Sequence, residues 1–412
     1  MKEKIKSVFA REILDSRSNP TVEVRVELES GKFGIASVPS GASTGTHEAH
    51  ELRDKDNARY GGKGVRKAVQ NVNRIIHSSL VGRSLSDNVD KIMIDLDGSM
   101  DKSVLGANSI LAVSLAAAKA GANERGVELY EYLSKNKSPS LPIPMFNILN
   151  GGAHASNNID IQEFMVVPHG LQIEDAIRAG SEIYHTLGRM LRVRGLSTAV
   201  GDEGGFAPNL ESDEEAISML CLAITESGYS TENVGIALDV AASEWYENGE
   251  YKLPKRKIRY SATDLIQYYS DLTQKYPIIS IEDGAGEDDL DGWQQITRAL
   301  GSKCMLVGDD LFVTNTERLK MGIDMGAANA ILVKPNQIGS LYETINVIEL
   351  AQNAGYKYII SHRSGETIDS AIADIAVATN AQYIKAGAPA RGERVAKYNR
   401  LLEIAEKIKN QG

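Results

Sequence analysis

The stretch from Pro277 to Asp310 reads PIISIEDGAGEDDLDGWQQITRALGSKCMLVGDD, and it decides the fold. Two short apolar runs each end in a pair of acidic residues, Glu282-Asp283 and Asp309-Asp310, with a helical pattern between them. Short apolar runs bounded by helices are typical of buried parallel strands. The stretch therefore predicts two βα units of a parallel sheet, in which each strand ends at a carboxylate.

The same rhythm of strand and helix continues on both sides. Upstream, the run VGIALD ends at Asp239; downstream, AILVK ends at Lys334, YIISHRS carries His362 and YIK ends at Lys385. A strand, a helix and their two loops need about 25 residues, which is close to the spacing of most of these strand ends. Consecutive units of this length predict a (β/α) barrel, whose catalytic groups lie at the carboxyl ends of its strands.

Three carboxylates, those of Asp239, Glu282 and Asp309, are predicted to converge on one mouth of this barrel. They would repel one another without a cation, and an all-oxygen ligand set suits a hard ion such as Mg2+. Lys334 and Lys385 then remain to act as a base and as a stabiliser of negative charge. A single acidic residue after a strand is usually a turn former or a helix cap, whereas six ionisable groups at barrel spacing favour a catalytic site.

The first third of the chain has a different pattern. Residues 4–38 predict a β-meander, in which TVEVRVELE from Thr21 to Glu29 alternates apolar and polar residues. Helical periodicity follows near residues 64–80, 89–96, 107–122 and 128–133. We predict an α+β lid domain over residues 1–135 and a barrel domain over residues 140–412, with the proline-containing segment SKNKSPSLPIP at the boundary. The barrel domain is expected to begin with two strands and then two helices.

The composition narrows the class of protein. The 412 residues include 45 basic and 55 acidic side chains, and the net charge of −10 argues against nucleic acid or a membrane surface as partner. The two cysteines lie far apart and outside any metal-binding spacing, so we expect buried thiols in a reducing compartment. No apolar run reaches the ~20 residues of a membrane span, and the N-terminus lacks a signal-peptide core. A cytoplasmic location is therefore expected.

Two loops rich in small residues carry further polar groups. The loop PSGASTG, from Pro39 to Gly45, lacks apolar anchors and is expected to be an exposed, mobile lid, with Ser43 offering a hydroxyl oxygen. The loop GDEGGFAP, from Gly201 to Pro208, presents Glu203 among glycines, which let the backbone approach a ligand closely. Taken alone, either loop is often a plain surface turn.

Together these groups suit the removal of a proton next to a carboxylate. Such a proton is a weak acid, so the dianion left behind needs concentrated positive charge, which a metal ion and Lys385 would supply. Lys334 can serve as the base if neighbouring positive charge lowers its pKa. Glu203 is the candidate acid for loss of a hydroxide, and the pair Arg363-Ser364 suits a phosphate group.

Long motifs across nearly the whole chain resemble the enolase (phosphopyruvate hydratase) family. They include DSRSNPTVEV, VPSGASTG, LNGGAH, QEFM, VGDEGGFAPN, SIEDG, VGDDLFVTN, LVKPNQIGS, SHRSGET and IKAGAPARGER. The resemblance implies an α/β fold, in which an N-terminal α+β lid domain precedes a TIM-like (β/α)8 barrel with a ββαα start. It also implies a hydro-lyase (a carbon-oxygen lyase) that reversibly dehydrates 2-phospho-D-glycerate to phosphoenolpyruvate in glycolysis and gluconeogenesis.

The resemblance also implies roles for matching residues. The implied metal ligands are Asp239, Glu282 and Asp309 for a first Mg2+ and Ser43 for a second, which binds with substrate. Lys334 is implied as the base at C2, and Glu203 as the acid at the leaving hydroxyl. The residues implied to contact the substrate are His154, Gln162, Glu163, His362, Arg363, Ser364 and Lys385.

Two positions depart from the family's usual pattern. Ser18 stands where glycine is usual before Asn-Pro, and Ala386 follows Lys385 where threonine is more usual. Both lie beside the expected site, so they bear on rates and loop geometry and leave the implied reaction unchanged. The family forms homodimers, and in some members octamers, so a homo-oligomer is expected.

Two alternatives stay open. Another metal-dependent enzyme of the superfamily, such as a cycloisomerase or an acid-sugar dehydratase, would share the barrel but lack the PSGASTG loop and the Arg363-Ser364 pair. A catalytically idle paralogue serving as a binding or surface protein would lack the base, the acid or a metal ligand, and all of these are present here. A binding role beside catalysis, with a cell-surface or secreted pool, is compatible with the sequence.

Overall fold

An N-terminal α+β domain precedes a closed barrel in this chain. The computed structural model describes residues 3–41, 45–134 and 138–411. The strands are β1 (Ile5–Leu14), β2 (Pro20–Leu28), β3 (Phe33–Ser37), β4 (Ile143–Asn150), β5 (Glu163–Val167), β6 (Gly235–Asp239), β7 (Tyr246–Glu247), β8 (Glu250–Leu253), β9 (Ile258–Tyr260), β10 (Ile278–Glu282), β11 (Met305–Gly308), β12 (Ala330–Val333), β13 (Lys357–Ser361) and β14 (Tyr383–Lys385). The α-helices are α1 (Arg66–Gln70), α2 (His77–Leu80), α3 (Val89–Asp97), α4 (Ala107–Arg125), α5 (Leu129–Leu133), α6 (Ile173–Val193), α7 (Asp213–Glu226), α8 (Ala262–Lys275), α9 (Leu290–Leu300), α10 (Thr316–Met325), α11 (Pro335–Ile338), α12 (Leu341–Asn353), α13 (Ala371–Ala378) and α14 (Gly392–Gln411).

The N-terminal domain is built on an antiparallel sheet in the order β1-β2-β3, which confirms the predicted meander. Val22, Val24 and Val26 are fully buried on the inner face of β2, while the residues between them point outward. Helix α4 packs against this inner face. Its backbone comes so close that a Cβ on Gly34 of β3 would lie 2.2 Å from the carbonyl oxygen of Ala116, so only glycine fits there.

The helix predicted over residues 64–80 is divided in the structure. Helices α1 and α2 flank a π-helical turn at Asn71–Ile76. Within this turn, the Asn73 side chain accepts a hydrogen bond from the Ala10 N–H at 2.6 Å and donates one to the Ala10 carbonyl at 3.0 Å. Ala10 lies on the edge strand β1, so the turn satisfies backbone groups that an unpaired edge would expose.

Eight strands close the barrel in the order β4-β5-β6-β10-β11-β12-β13-β14. Strand β5 runs antiparallel to both β4 and β6, and helices α6 and α7 follow it in succession, so the predicted ββαα start is confirmed. Methionines 145, 165 and 305 fill the interior together with smaller apolar side chains of the other strands. This plug is a packed core, so ligands are restricted to the mouth above it.

The mouth collects the polar ends of the strands. Asp239, Glu282 and Lys385 are the last residues of β6, β10 and β14, and Asp309, Lys334 and His362 directly follow β11, β12 and β13. Because β5 is antiparallel, its first residue rather than its last lies at this mouth, and Glu163 pairs with Asp239 across the sheet. Strand order thus gathers in space side chains that lie far apart in sequence.

Two local expectations need correction. Ser40, in the loop expected to be exposed, is 3% exposed, because its backbone pairs with Gly365 and its hydroxyl donates to Glu51. Cys221 is half-buried, so only Cys304 is the buried thiol that was expected. The residues Asn248-Gly249 join β7 to β8 in a hairpin, to which β9 adds a third strand. No helix within the described ranges is long and apolar enough to cross a membrane.

Candidate active site

The Lys385 ammonium lies at the centre of the mouth. Its Nζ is 3.1 Å from Glu163, 3.0 Å from Asp239 and 2.9 Å from Glu282, and the lysine is 2% exposed. Burial alone would lower the pKa of this ammonium, but the charges of Asp239 and Glu163 outweigh burial and raise its pKa well above the ordinary value. Lys385 is therefore a permanent cation.

One ammonium does not neutralise the carboxylates around it. Burial, followed by repulsion from Glu203, raises the pKa of Glu163 well above its ordinary value. Burial and the charge of Asp239 do the same to the pKa of Glu282. A buried cluster of carboxylates in this state favours the arrival of further positive charge.

Lys334 lies at the mouth directly after strand β12, and it forms an ion pair with Asp309, which follows the neighbouring strand β11. The second oxygen of Asp309 accepts a hydrogen bond from Gln337 at 2.9 Å, and Gln337 in turn accepts one from Thr314 at 2.8 Å. Burial would lower the pKa of Lys334, but Asp309 outweighs it, so this pKa lies above its ordinary value. In this arrangement Lys334 is protonated and does not act as a base.

Glu203 reaches the mouth from the loop between α6 and α7. This loop packs so closely that a Cβ on Gly205 would lie 2.3 Å from the Asn150 side chain. Glu203 accepts a hydrogen bond from Asn147 at 2.9 Å, and its Oε2 is 3.3 Å from Nε2 of His362. Burial opposes its ionisation, but the charge interaction and hydrogen bond with His362, followed by the charges of His154 and Arg394, outweigh burial and hold the pKa of Glu203 well below its ordinary value.

Two carboxylates, Glu163 beside Lys385 and Glu203 beside His362, lie close together at the mouth. Ligand atoms of His154, Glu163 and Glu203 all lie within 4.8 Å of one another. Nδ1 of His154 is 3.4 Å from Glu163. Burial and the charge of Glu203 raise the pKa of Glu163, while His362 and other neighbouring cations lower that of Glu203, so Glu163 is the carboxyl of the pair that binds a proton more readily.

Arg363 is held by a carboxylate from the N-terminal domain. Glu48 makes a bidentate ion pair with it, with distances of 2.9 and 3.1 Å, and both side chains are buried. Asn336 accepts a further hydrogen bond from Arg363 at 3.1 Å. The residue predicted to bind phosphate thus already has an anionic partner, which occupies the same two-pronged geometry that a phosphate would use.

A buried aspartate supports the acidic side of the mouth. Both oxygens of Asp283 accept backbone hydrogen bonds, from the N–H groups of Asp309 at 2.9 Å and Asp310 at 3.0 Å. Burial and the neighbouring Asp309 raise the pKa of Asp310 to about 7. Asp283 therefore fixes the backbone that carries Asp309, a role that its position directly after Glu282 did not reveal.

Among the described residues, two groups of three side chains have their ligand atoms close enough together to hold a metal ion. They are His154, Glu163 and Glu203, and Asp283, Asp309 and Asp310. The predicted set of Asp239, Glu282 and Asp309 is not one of them, because the first two direct oxygens at the Lys385 ammonium. Their role as ligands stays a prediction, and so does that of Ser43, which lies outside the described residues.

One cavity of about 40 Å3 lies between these groups. The predicted residues that line it are His154, Gln162, Glu163, Glu203, Asp239, Asp309, Lys334, His362, Arg363, Ser364 and Lys385. Glu282 reaches the same centre through Lys385. A small-molecule substrate that entered this cavity would meet the ion pairs at its lining, Lys334 with Asp309 and Arg363 with Glu48.

Several residues of the site were not predicted. They are Glu48, Asn147, Asp283, Gln337 and Arg394, and each holds a predicted residue in place. Glu48 stands next to the predicted lid, and Gln337 stands within the motif LVKPNQIGS, but neither carries a chemical signal of its own. Only the fold brings them to their partners.

Fold and site together define a (β/α) barrel protein with an N-terminal α+β domain and with buried carboxylates and two lysines at the barrel mouth. Residues 5–133 match the family model "Enolase, N-terminal domain", and residues 138–412 match "Enolase, C-terminal TIM barrel domain". The chain therefore belongs to the enolase family. Membership implies a small-molecule substrate and metal-dependent chemistry.

Proposed function

We propose that this protein is a hydro-lyase that reversibly dehydrates 2-phospho-D-glycerate to phosphoenolpyruvate, the enolase step of glycolysis and gluconeogenesis, with Mg2+. The observation that carries the proposal is the convergence of Asp239, Glu282 and Asp309 with the buried Lys385 and the partly buried Lys334 at one barrel mouth. Family membership over both domains supports the same reaction. The alternative of an idle paralogue predicts a missing base, acid or metal ligand, whereas the chain contains every residue proposed for these roles.

The donor set fits a divalent cation. Asp239, Glu282 and Asp309 are each less than 10% exposed and offer only oxygen atoms. The raised pKa of Glu282 means that the cluster lacks positive charge even with Lys385 in its midst. Hard oxygen ligands with unsatisfied negative charge are what Mg2+ requires. When bound there, and at a second position with Ser43, Mg2+ would stabilise negative charge that develops on the substrate carboxylate.

Lys334 would take the proton from C2 of the substrate at its Nζ. It can do so only in its neutral form, and the ion pair with Asp309 now opposes loss of its proton. The pKa of Lys334 falls when Asp309 has another cation as partner, because Lys385 and Arg363 then repel the ammonium. Asp309 thus links the protonation of Lys334 to the net charge of the carboxylate cluster.

Glu203 would donate a proton to the leaving hydroxyl at C3. The pKa of Glu203 is lowered and that of Glu163 is raised, so Glu203 needs a proton from a neighbouring group before it can act as the acid. Transfer from Glu163 to Glu203 prepares the acid. Their ligand atoms lie within 4.8 Å of each other, so the transfer needs only a small movement or one water molecule.

The substrate phosphate would be bound by Arg363 and Ser364. A phosphate that approaches Arg363 must replace Glu48, which holds both prongs of the guanidinium. Glu48 belongs to the N-terminal domain, so its release would loosen a contact between this domain and the barrel. Gln162, 3.5 Å from Asp239, and Lys385 would contact the carboxylate end of the substrate.

The test is a turnover assay with 2-phosphoglycerate, in which the ultraviolet absorbance of the enol phosphate product is followed with Mg2+ and again with EDTA. We expect turnover that requires Mg2+ and that falls about 10²–10⁴-fold in Lys334→Ala, because the base is removed. The matched control is Lys102→Ala, which removes another buried lysine, paired with Glu343 at 2.9 Å and away from the mouth. Its turnover should stay near that of the natural chain. A folded protein that shows no Mg2+-dependent turnover would overturn the proposal.

We further propose a cytoplasmic homo-oligomer. Cys221 and Cys304 are both unpaired thiols, which suits a reducing compartment. On the outer face of the N-terminal sheet, Phe9 is 58% exposed and Ile35 is 41% exposed, with Arg25 between them in register. An apolar face of this kind suits burial against a second copy of the chain. Sedimentation at micromolar concentration tests this, and a monomer would contradict it.

A further inference from the structure

Helix α14 sends one buried cation beneath the mouth. Arg394 lies in the first turn of this helix and is 0% exposed. One of its NH groups contacts Nδ1 of His362 at 2.6 Å and the carbonyl of Arg363 at 2.6 Å. The other donates to the carbonyls of Ser364 at 2.6 Å and Asp202 at 3.1 Å. A single guanidinium therefore ties the loop after β13 to the loop that carries Glu203.

The contact with His362 fixes where the imidazole carries its proton. A guanidinium has only N–H donors and stays charged, so Nδ1 of His362 must accept the hydrogen bond from Arg394. A neutral imidazole whose Nδ1 accepts carries its hydrogen on Nε2. That nitrogen is 3.3 Å from Oε2 of Glu203, so His362 donates to this carboxylate. Burial lowers the pKa of His362 to about 4, which agrees with a neutral ring.

We propose that Arg394 is a positioning residue that holds His362 as the neutral Nε2–H tautomer, so that His362 always donates to Glu203 and never accepts a proton from it. This tautomer also determines which oxygen of Glu203 is free to exchange a proton. Asn147 and His362 both donate to Oε2 of Glu203, which leaves Oε1 as the oxygen able to exchange a proton with Glu163 or with a substrate. The role at the substrate rests on the proposed function, whereas the tautomer does not.

The chain offers a control on the same helix. Lys397, one turn later, is also 0% exposed and donates to Glu366 at 2.8 Å and to the carbonyl of Thr367 at 2.6 Å. It anchors the continuation of the same loop but has no contact with His362 in the described residues. Lys397→Met therefore reports on loss of a buried anchor, without a change in the partner of the imidazole.

The experiment is nitrogen NMR of histidine-labelled full-length protein at neutral pH, with His362→Gln used to assign the signal, together with turnover of 2-phosphoglycerate. In the natural chain we expect an unprotonated Nδ1 and a protonated Nε2 for His362. Arg394→Gln provides an amide oxygen that accepts from Nδ1–H, so the tautomer should shift, and kcat should fall about 10–100-fold with a smaller change in KM. Arg394→Lys keeps a donor-only cation, so it should keep the tautomer and lose less than about tenfold in kcat. Lys397→Met should keep the tautomer.

The outcomes separate the two proposals. A proton on Nδ1 of His362 in the natural chain would overturn the positioning role, even if no Arg394 variant folds. Equal kcat losses in Arg394→Gln and Arg394→Lys with an unchanged tautomer would overturn it as well. The expected tautomer in a protein without turnover of 2-phosphoglycerate would support the positioning role and contradict the proposed reaction.

Discussion

The mouth of the barrel has two halves that the chain builds in different ways. The strand-end half consists of Glu163, Asp239, Glu282 and Lys385, all of them terminal residues of barrel strands. The loop half consists of Glu203, His362 and Arg363, together with the side chains from other segments that hold them. In the first half the backbone register sets the positions, and in the second half hydrogen bonds between distant segments set them.

The two halves also differ in electrostatics. In the strand-end half the pKa values of Glu163 and Glu282 are raised, first by burial and then by neighbouring carboxylates. In the loop half the pKa values of Glu203 and His362 are lowered. The strand-end half is thus short of positive charge, which suits a cation-binding role. The loop half has its donors fixed, which suits the handling of protons. Preorganised groups of both kinds are what stabilisation of a dianion requires.

The largest expected effect comes from removal of the central cation. Lys385→Met leaves Glu163, Asp239 and Glu282 buried without it, so turnover should fall by more than about 10³-fold. Without Mg2+ at pH 7, the free energy of unfolding should fall by about 3–5 kcal/mol. Carboxyls whose folded pKa lies above the ordinary value of 4.5 bind more protons folded than unfolded. The free energy of unfolding should therefore decrease as the pH rises from about 4.5 through the higher pKa values of these carboxyls in the folded protein. Urea denaturation at pH 5 and pH 8 measures this.

Lys397→Met is the matched control for this experiment. It also removes a buried lysine, but it leaves one carboxylate, that of Glu366, instead of three. We expect lower stability in this variant with a much weaker dependence on pH. If the two variants showed the same pH slope, the strand-end half would not be an electrostatically strained cluster, and the contrast between the two halves would fail.

The sequence predicted the strand-end half better than the loop half. Parallel strands of regular spacing bring their last residues together whatever side chains lie between them, so Asp239, Glu282 and Lys385 followed from spacing alone. The antiparallel strand β5 is the exception. Glu163 stands at its first residue, and only the family resemblance placed it in the site, because reversal of the strand leaves no local signal.

The partners within the loop half depend on contacts between segments that are remote in sequence. Glu48 and Arg363 are 315 residues apart, and Arg394 and His362 belong to different elements. Periodicity describes neighbours along one helix or strand and carries no information about such pairs. The ion pair between Lys334 and Asp309 was also not predicted, although both residues were, because strand spacing does not determine which charged groups at the mouth pair with each other.

A smaller effect is expected where the N-terminal domain meets the loop half. Glu48→Gln removes the carboxylate that holds both prongs of Arg363, so phosphate has less to displace. The KM for 2-phosphoglycerate should fall by about three- to tenfold, which corresponds to roughly 1 kcal/mol for one charged hydrogen-bond partner. Steady-state kinetics measure it. The control is Glu51→Gln, on the same segment but paired with Arg53. A higher KM in Glu48→Gln alone would mean that Glu48 positions Arg363 instead of competing with phosphate.

The smallest effect is expected at Ser18, in the turn before β2. Ser18 has a φ of 60°, a left-handed conformation that costs a non-glycine residue about 1–2 kcal/mol, and this explains why glycine is usual here. Its neighbour Arg17 donates to the carbonyls of Ser40 and Gly41 at 3.1 and 2.9 Å. Ser18→Gly should raise the free energy of unfolding by about 1 kcal/mol or less, because the flexibility of glycine in the unfolded chain offsets part of the gain. Lys257→Gly, at a φ of 58° in the remote β8–β9 turn, should stabilise similarly. If Ser18→Gly alone also changes kcat, the strained turn acts on the site through Arg17, and the loop half extends into the N-terminal sheet.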